Sequence, residues 1–248
     1  MPKTILITGG SRGIGAACAR LAGARGWSVA INYAGNDAAA AETVRAVETA
    51  GGRAIAIKGN VAAETDVVRM FDETETAFGR PDGVVNNAGI VRTSAKIVDM
   101  DTESTRKLFD INVFGAFLVA REAARRMATS RGGRGGSLVN MSSAAARLGG
   151  AGEMTDYAAS KGAIDTLTLG LSKELGPDGI RVNAVRPGLI ETEIHNDSGD
   201  MDRLNRLAPG VPMGRAGSAE EVAETVIWLL DDASSYVNGA LIDVTGGR

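Results

Sequence analysis

The chain is poor in several residue types, and each scarcity excludes something. One cysteine, Cys18, stands in 248 residues, so no internal disulfide can form and a reducing compartment is expected. It lies among alanines in a predicted helix and reads as a small buried hydrophobe, not a reactive thiol. There is also one histidine, His195, which falls in a long loop and reads as a solvated side chain; no metal site is expected. No apolar run approaches the roughly 20 residues that a membrane-spanning helix needs. The short apolar stretch Ile5-Leu6-Ile7 near the start is too brief for a secretory core, so a cytoplasmic protein with no membrane partner is expected. Neither sign of charge dominates: the formal net charge is −3, which gives no electrostatic footprint for nucleic acid. No linker rich in proline or serine divides the chain, so one domain spanning residues 1–248 is expected.

What is present is a core-forming hydrophobic content of 44% arranged as an alternation. Thr4–Thr8 reads as a buried strand, then a glycine turn and a helix near Ile14–Arg25. Ser28–Tyr33, Arg53–Lys58 and Gly83–Asn86 read as further strands, separated by helices at Asp37–Ala50 and Glu64–Phe78. Asn36 or Asp37 is able to cap the first of these two. One long helix is expected over Thr102–Thr129. A strand at Ser137–Met141, a helix near Thr155–Leu175, a strand at Arg181–Arg186, a helix at Ala219–Asp231 and a strand at Ala240–Val244 complete the order. Strands separated by helices at this spacing imply a doubly wound, Rossmann-type parallel α/β sheet of about seven strands, with right-handed crossovers and helices on both faces.

Two loops break the pattern. Arg131–Gly136 is glycine-rich and basic and reads as a flexible surface turn. The stretch near 188–217 is long enough to be a functional lid over a substrate.

The turn Thr8-Gly9-Gly10-Ser11-Arg12-Gly13-Ile14-Gly15 follows the first strand and opens the first helix. Glycines 9, 13 and 15 permit a tight turn and close backbone approach to a pyrophosphate, while the helix N-terminus presents free N–H groups and a favourable dipole. Residues Gly9, Ser11, Arg12, Gly13, Ile14 and Gly15 are therefore candidate dinucleotide contacts. The second strand ends Ala30-Ile31-Asn32-Tyr33, with no carboxylate until Asp37 to bond a ribose 2′-hydroxyl. Arg12 can reach that region and pair with a 2′-phosphate. NADP(H) is thus favoured, with NAD(H) the alternative, and Asn32 and Tyr33 are expected at the adenosine end.

Tyr157 and Lys161 form a Tyr-x-x-x-Lys pair, with Ser143 upstream. Reducing a ketone requires a proton at the carbonyl oxygen as hydride reaches the carbon. A phenol is a poor donor near neutrality, with an ordinary pKa of about 10. An ammonium one helical turn along the same face favours tyrosinate and makes the phenol a better acid. Serine adds a hydroxyl that can hold the substrate oxygen.

As an ordered set these segments resemble the short-chain dehydrogenases/reductases in their shorter form, and the resemblance covers essentially the whole chain. The segment Thr8–Gly15 looks like that family's cofactor fingerprint, Asn86-Asn87-Ala88-Gly89 its segment after the fourth strand, and Asn140–Ser143 its fifth-strand segment. The resemblance implies a catalytic tetrad of Asn112, Ser143, Tyr157 and Lys161. Asn112 would hold a water that links Lys161 to solvent, and hydride would transfer on the B face. It further implies cofactor contacts from Asn60, Val61, Asn87, Ala88, Gly89, Tyr157, Lys161, Pro187, Gly188, Ile190 and Thr192. Asn60 stands where relatives usually carry aspartate, and it still offers a carbonyl acceptor to the adenine amino group. Ser142 and Ser143 are neighbours on opposite strand faces; the family pattern selects Ser143.

The nearest likenesses within the family are 3-oxoacyl-[acyl-carrier-protein] reductases and the glucose 1-dehydrogenase group. The implied activity is carbonyl–alcohol interconversion on a small molecule by a homotetramer. A catalytically silent NADP-binding regulator and a sugar-nucleotide epimerase or dehydratase are the alternatives. Arg121, Arg125 and Arg126 could form a basic landing patch for an acidic carrier protein, or simply a solvated helix face.

Overall fold

The computed structural model describes residues 2–192 and 202–248. His195 and part of the expected lid lie outside the described residues. Seven strands form one parallel sheet: β1 Thr4–Ile7, β2 Ser28–Tyr33, β3 Arg53–Lys58, β4 Gly83–Asn86, β5 Gly136–Met141, β6 Ile180–Pro187 and β7 Leu241–Val244, in the spatial order β3-β2-β1-β4-β5-β6-β7. Register runs Leu6↔Ala30 on one side of β1 and Leu6↔Val84 on the other. The central strands β1 and β4 carry the short continuous apolar runs Ile5–Ile7 and Val84–Val85 because helices cover both faces.

Alternation along each strand splits the core in two. Ile5, Ile7, Val29, Ile31, Val85, Val139 and Val185 point to the face covered by α1 (Gly13–Ala24), α2 (Asp37–Thr49) and α9 (Ala219–Leu230). Leu6, Ala30, Val84, Leu138 and Val182 point to the opposite face. There they meet α3 (Glu64–Phe78), α5 (Ala116–Met127) and α7 (Thr155–Leu175). Burying each such aliphatic side chain contributes on the order of 1.5–3 kcal/mol. Cys18 is fully buried in the first cluster, and burial pushes its thiol up to about 12, so it packs as a hydrophobe. Asn36 caps α2, accepting the Ala39 N–H at 3.0 Å.

The single helix expected over 102–129 is not there. It divides into α4 (Thr102–Phe109), a π-helical turn (Asp110–Gly115) and α5, closed by a 3₁₀ turn at Thr129–Arg131. The wider turn accommodates an extra residue and turns Asn112 into the protein. The Arg131–Gly136 stretch is a surface turn tied back to the end of α5. Its Gly133 N–H bonds Ala128 O at 2.9 Å and its Gly135 N–H bonds Met127 O at 2.8 Å.

The three arginines of α5 lie among acids. Arg121 pairs with Glu64, Arg125 with Glu122, and Arg126 with Glu122, Asp72 and Glu75, so each guanidinium meets a carboxylate.

The chain winds outward from β1 in both directions. The crevice outside the carboxyl ends of β1 and β4 is therefore the topological switch point at which such sheets bind ligands. The short helices α6 (Ala145–Leu148) and α8 (Arg203–Leu207) stand over it.

Candidate active site

A cavity of about 700 Å³ runs along this crevice from Arg12 and Tyr33 at one end to Ser143 and Tyr157 at the other. At the first end the glycine turn is pinned between two asparagines. Asn87, just past β4, donates from Nδ2 to Thr8 O (2.9 Å) and Gly9 O (3.1 Å). Asn32, buried at the end of β2, accepts the Gly9 N–H and donates to Ile57 O and Gly59 O. The Thr8 hydroxyl accepts the N–H groups of Asn87 and Ala88, both at 3.0 Å. Gly15 does not line the cavity. It sits behind the turn, where an added Cβ would lie 2.4 Å from Gly9 O and 2.8 Å from Asn87 Nδ2. Helix α1 has no acidic residue in its first turn and no side-chain cap from Arg12, so its N-terminus faces the cavity with uncompensated dipole.

Beyond the turn, Arg12, Tyr33, Ala34, Gly35 and Asn36 line the cavity. Asp37, the nearest carboxylate, is engaged elsewhere. It accepts from the Tyr33 hydroxyl at 2.8 Å and pairs with Lys58, and both hold its carboxyl below the usual range. Asn60 folds its side chain back so that Oδ1 accepts the Ala62 N–H, as in an Asx turn. Thr192 reaches back over the turn; a Cβ on Gly13 would touch its side chain at 3.4 Å. Pro187, Gly188 and Ile190 form the adjoining wall, with the Gly188 N–H bonded to Val244 O.

At the other end the geometry is made of side chains. Lys161 is buried in α7 and donates from Nζ to Met141 O at 2.8 Å; Nζ stands 5.6 Å from the centre of the Tyr157 ring. Burial pushes its ammonium down to about 8, against a smaller upward pull from Asp165 one turn along. Ser142 is buried and donates to Lys161 O at 3.2 Å. Ser143 borders the cavity, its Oγ accepting the Ala145 N–H.

Asn112 is buried and does not line the cavity. Its Oδ1 accepts the Ile90 N–H at 2.8 Å, while Nδ2 donates to Ile90 O at 2.9 Å and to Ser160 Oγ at 3.3 Å. That leaves one lone pair of Oδ1 for a water. Gly89 separates it from the lysine: an added Cβ would lie 3.3 Å from Asn112 Oδ1 and 3.5 Å from Lys161 Nζ.

A family model described as Enoyl-(Acyl carrier protein) reductase matches residues 9–248. The chain belongs to the short-chain dehydrogenase/reductase family. Among its curated relatives, the uncharacterized oxidoreductase YgfF of Escherichia coli K12 is 48% identical over 98% of both chains. An L-rhamnose 1-dehydrogenase (NAD(P)(+)) of Sphingomonas sp. SKA58 is 39% identical, over 99% of this chain and 95% of its own. Among solved structures, a short-chain type dehydrogenase/reductase from Mycobacterium marinum superimposes with a TM-score of 0.92 at 34% identity, over 99% of this chain and 94% of its own. The chain is thus an oxidoreductase acting on a CH–OH group or its carbonyl.

Within this short-chain dehydrogenase/reductase, the residues that sequence reasoning proposed for cofactor and chemistry gather on one cavity, apart from Gly15 and Asn112, which stand directly behind its walls. Sequence reasoning missed Thr8 as a hydroxyl hub, the Met141 carbonyl as the lysine's partner, and an ion pair between Arg92 and Asp156. Only Asp156 carried a signal, as an acid in the first turn of a helix.

Proposed function

We propose that the chain is an NADP(H)-dependent reductase and dehydrogenase that interconverts a carbonyl and a secondary alcohol, with Tyr157 as general acid and base. The observation that carries the reading is the continuity of one cavity from the glycine turn to Tyr157, Lys161 and Ser143. The residues present fit a dinucleotide. A further Cβ would crowd its neighbours at Gly9, Gly10 and Gly15 of the cradle, and the adjoining helix end bears no acid. Arg12 lines the adenosine end with no carboxylate among the described lining residues there, which supports a 2′-phosphate. Asn60 retains an acceptor lone pair toward that end.

When bound, the nicotinamide supplies or accepts the hydride. Tyr157 gives its proton to the substrate oxygen in reduction and takes it back in oxidation. Ser143 Oγ holds the same oxygen and steadies its developing charge. Lys161, oriented by Met141 O, favours the ionised phenol. The remaining lone pair of Asn112 Oδ1 offers a water site beside Lys161, through which the proton is replenished.

The region beyond Ser143 is walled by Ile90, Val91, Leu148, Met154, Leu189 and Leu207, with Glu153 and Arg248 as its charged members among the described residues. A substrate with an apolar body fits these walls better than a free sugar. Phe114, Phe117 and Leu169 are exposed apolar side chains on these helices, which supports a homotetramer. A mass of one chain by light scattering would refute the assembly.

The test is a 340 nm screen of aliphatic and alicyclic ketones, acyl thioesters, aldoses and secondary alcohols with NADPH or NADP⁺. Turnover is expected for a ketone, reduced by roughly 10²–10⁴-fold in Tyr157→Phe at saturating cofactor. Near-parental turnover in that variant removes Tyr157 from the chemistry. A preference for aldoses over ketones removes the apolar assignment alone.

A further inference from the structure

Tyr157 stands in the first turn of a helix that lacks an ordinary cap, since Met154 at its N-cap offers no side-chain bond. The vacancy is filled from inside the turn. Asp156 Oδ1 accepts the Tyr157 N–H at 2.8 Å. The same carboxylate is gripped by Arg92, whose Nε donates to Oδ2 and whose Nη2 donates to Oδ1 at 3.1 Å. Thr105 of α4 adds a longer bond to Oδ2 at 3.4 Å. Both ions are out of water, with side chains 10% and 3% exposed for Arg92 and Asp156. Arg92 belongs to the loop between β4 and α4, whose Ile90 and Val91 wall the cavity. That loop is fastened at three points: Asn112 to both polar groups of Ile90, Arg92 to Asp156, and the Ala95 N–H to Glu153 O at 2.9 Å.

A buried ion pair is poor support for stability, because desolvation can exceed the Coulombic gain and apolar replacements of the same volume are often neutral. Its two planar ends do fix direction, through two parallel bonds that tolerate little rotation. We propose that Arg92 and Asp156 are positioning residues that set the Tyr157 phenol relative to the cavity wall, and this rests on Tyr157 being the proton donor. The carboxylate holds the tyrosine's own backbone N–H, so the placement of the phenol inherits the geometry of the pair. A displacement of about 1 Å at a reacting group can lower turnover on the order of 10²-fold.

The experiment compares Arg92→Met, Arg92→Lys, Asp156→Asn and the double variant Arg92→Met/Asp156→Asn. It measures kcat and KM with the best ketone of the screen, NADPH affinity by fluorescence, and Tm. Arg92→Met is expected to lower kcat on the order of 10²-fold, with the NADPH Kd within about twofold of the parent and Arg92→Lys intermediate. Adding Asp156→Asn should restore part of that loss, because the stranded carboxylate is gone while Oδ1 still accepts the Tyr157 N–H. Parental kcat in a folded Arg92→Met, or a loss confined to Tm or to NADPH Kd, overturns the proposal. If Arg92→Met does not fold, the double variant decides: kcat tenfold or more below the parent supports positioning, and a smaller loss overturns it. Tyr157→Phe run alongside separates the two readings. Full turnover there sinks the proton-donor assignment itself, whereas an inactive Phe variant beside a normal Arg92→Met sinks only the positioning role.

Discussion

The two ends of the cavity are built in different materials. The end at the glycine turn is made of main chain: a turn, a helix terminus, and asparagines that hold carbonyls and amides in place. The end at Tyr157 and Lys161 is made of ionisable and hydroxyl side chains, held by bonds that cross between elements far apart in sequence. On the proposed reading, the first end should resist added volume and the second a change of charge: shape binds, and placed charge reacts.

Lys161 offers the largest test of that contrast. Its folded pKa, about 8, lies below the ordinary 10.5. Between these values the unfolded chain keeps a proton that the folded chain has released, so folding stability rises with pH across the window. The gain from this group is up to about 3 kcal/mol. Urea unfolding of the parent against Lys161→Met should show the parent gaining on the variant from pH 8 to 10.5. A constant difference would mean the ammonium is well solvated and the contrast is false.

Next in size is Gly15→Ala. The intruding methyl must displace Gly9 O or Asn87, and overpacking of this kind costs on the order of 1–3 kcal/mol. NADPH Kd should weaken by roughly 30-fold, with kcat at saturating cofactor little changed. A fall in kcat instead would show that the two ends are not separable.

The smallest effect expected is at Arg12. Removing its charge-assisted bond to a 2′-phosphate in Arg12→Ala should weaken NADPH by roughly tenfold, about 1.5 kcal/mol, while leaving NADH nearly untouched. Equal losses for both cofactors would assign Arg12 to the pyrophosphate and reopen NAD(H).

The same contrast explains what could be read from sequence. Apolar runs between glycine turns announce strands and their order, and the spacing Thr8–Gly15 announces a cradle because glycine there answers a local demand for space. Ser142 and Ser143, just past β5, both border the cavity, and the buried Ser142 hydroxyl is bonded to the Lys161 carbonyl. The π turn was illegible, because a helix that widens for one turn keeps its composition and its apolar periodicity on either side. Arg92 and Asp156 were illegible as a pair, since 64 positions separate them and neither forms part of a motif. The acidic partners of Arg121 and Arg126 on the other helix were hidden for a related reason. Glu122 lies within a helical turn of Arg126 and was visible, but Glu64, Asp72 and Glu75 come from α3 and meet the arginines only after folding.

The widened turn at Asp110–Gly115 also restricts how the chain can change its length. Losing the extra residue there would return the backbone to 3.6 residues per turn and leave the helix downstream in phase. Leu118, Val119, Ala123 and Met127 would keep their places on the sheet, and the loss would fall on Asn112 and its hold on Ile90. A segment flanked by exposed phenylalanines, where a deletion looks harmless, thus uses its extra residue to place one buried amide.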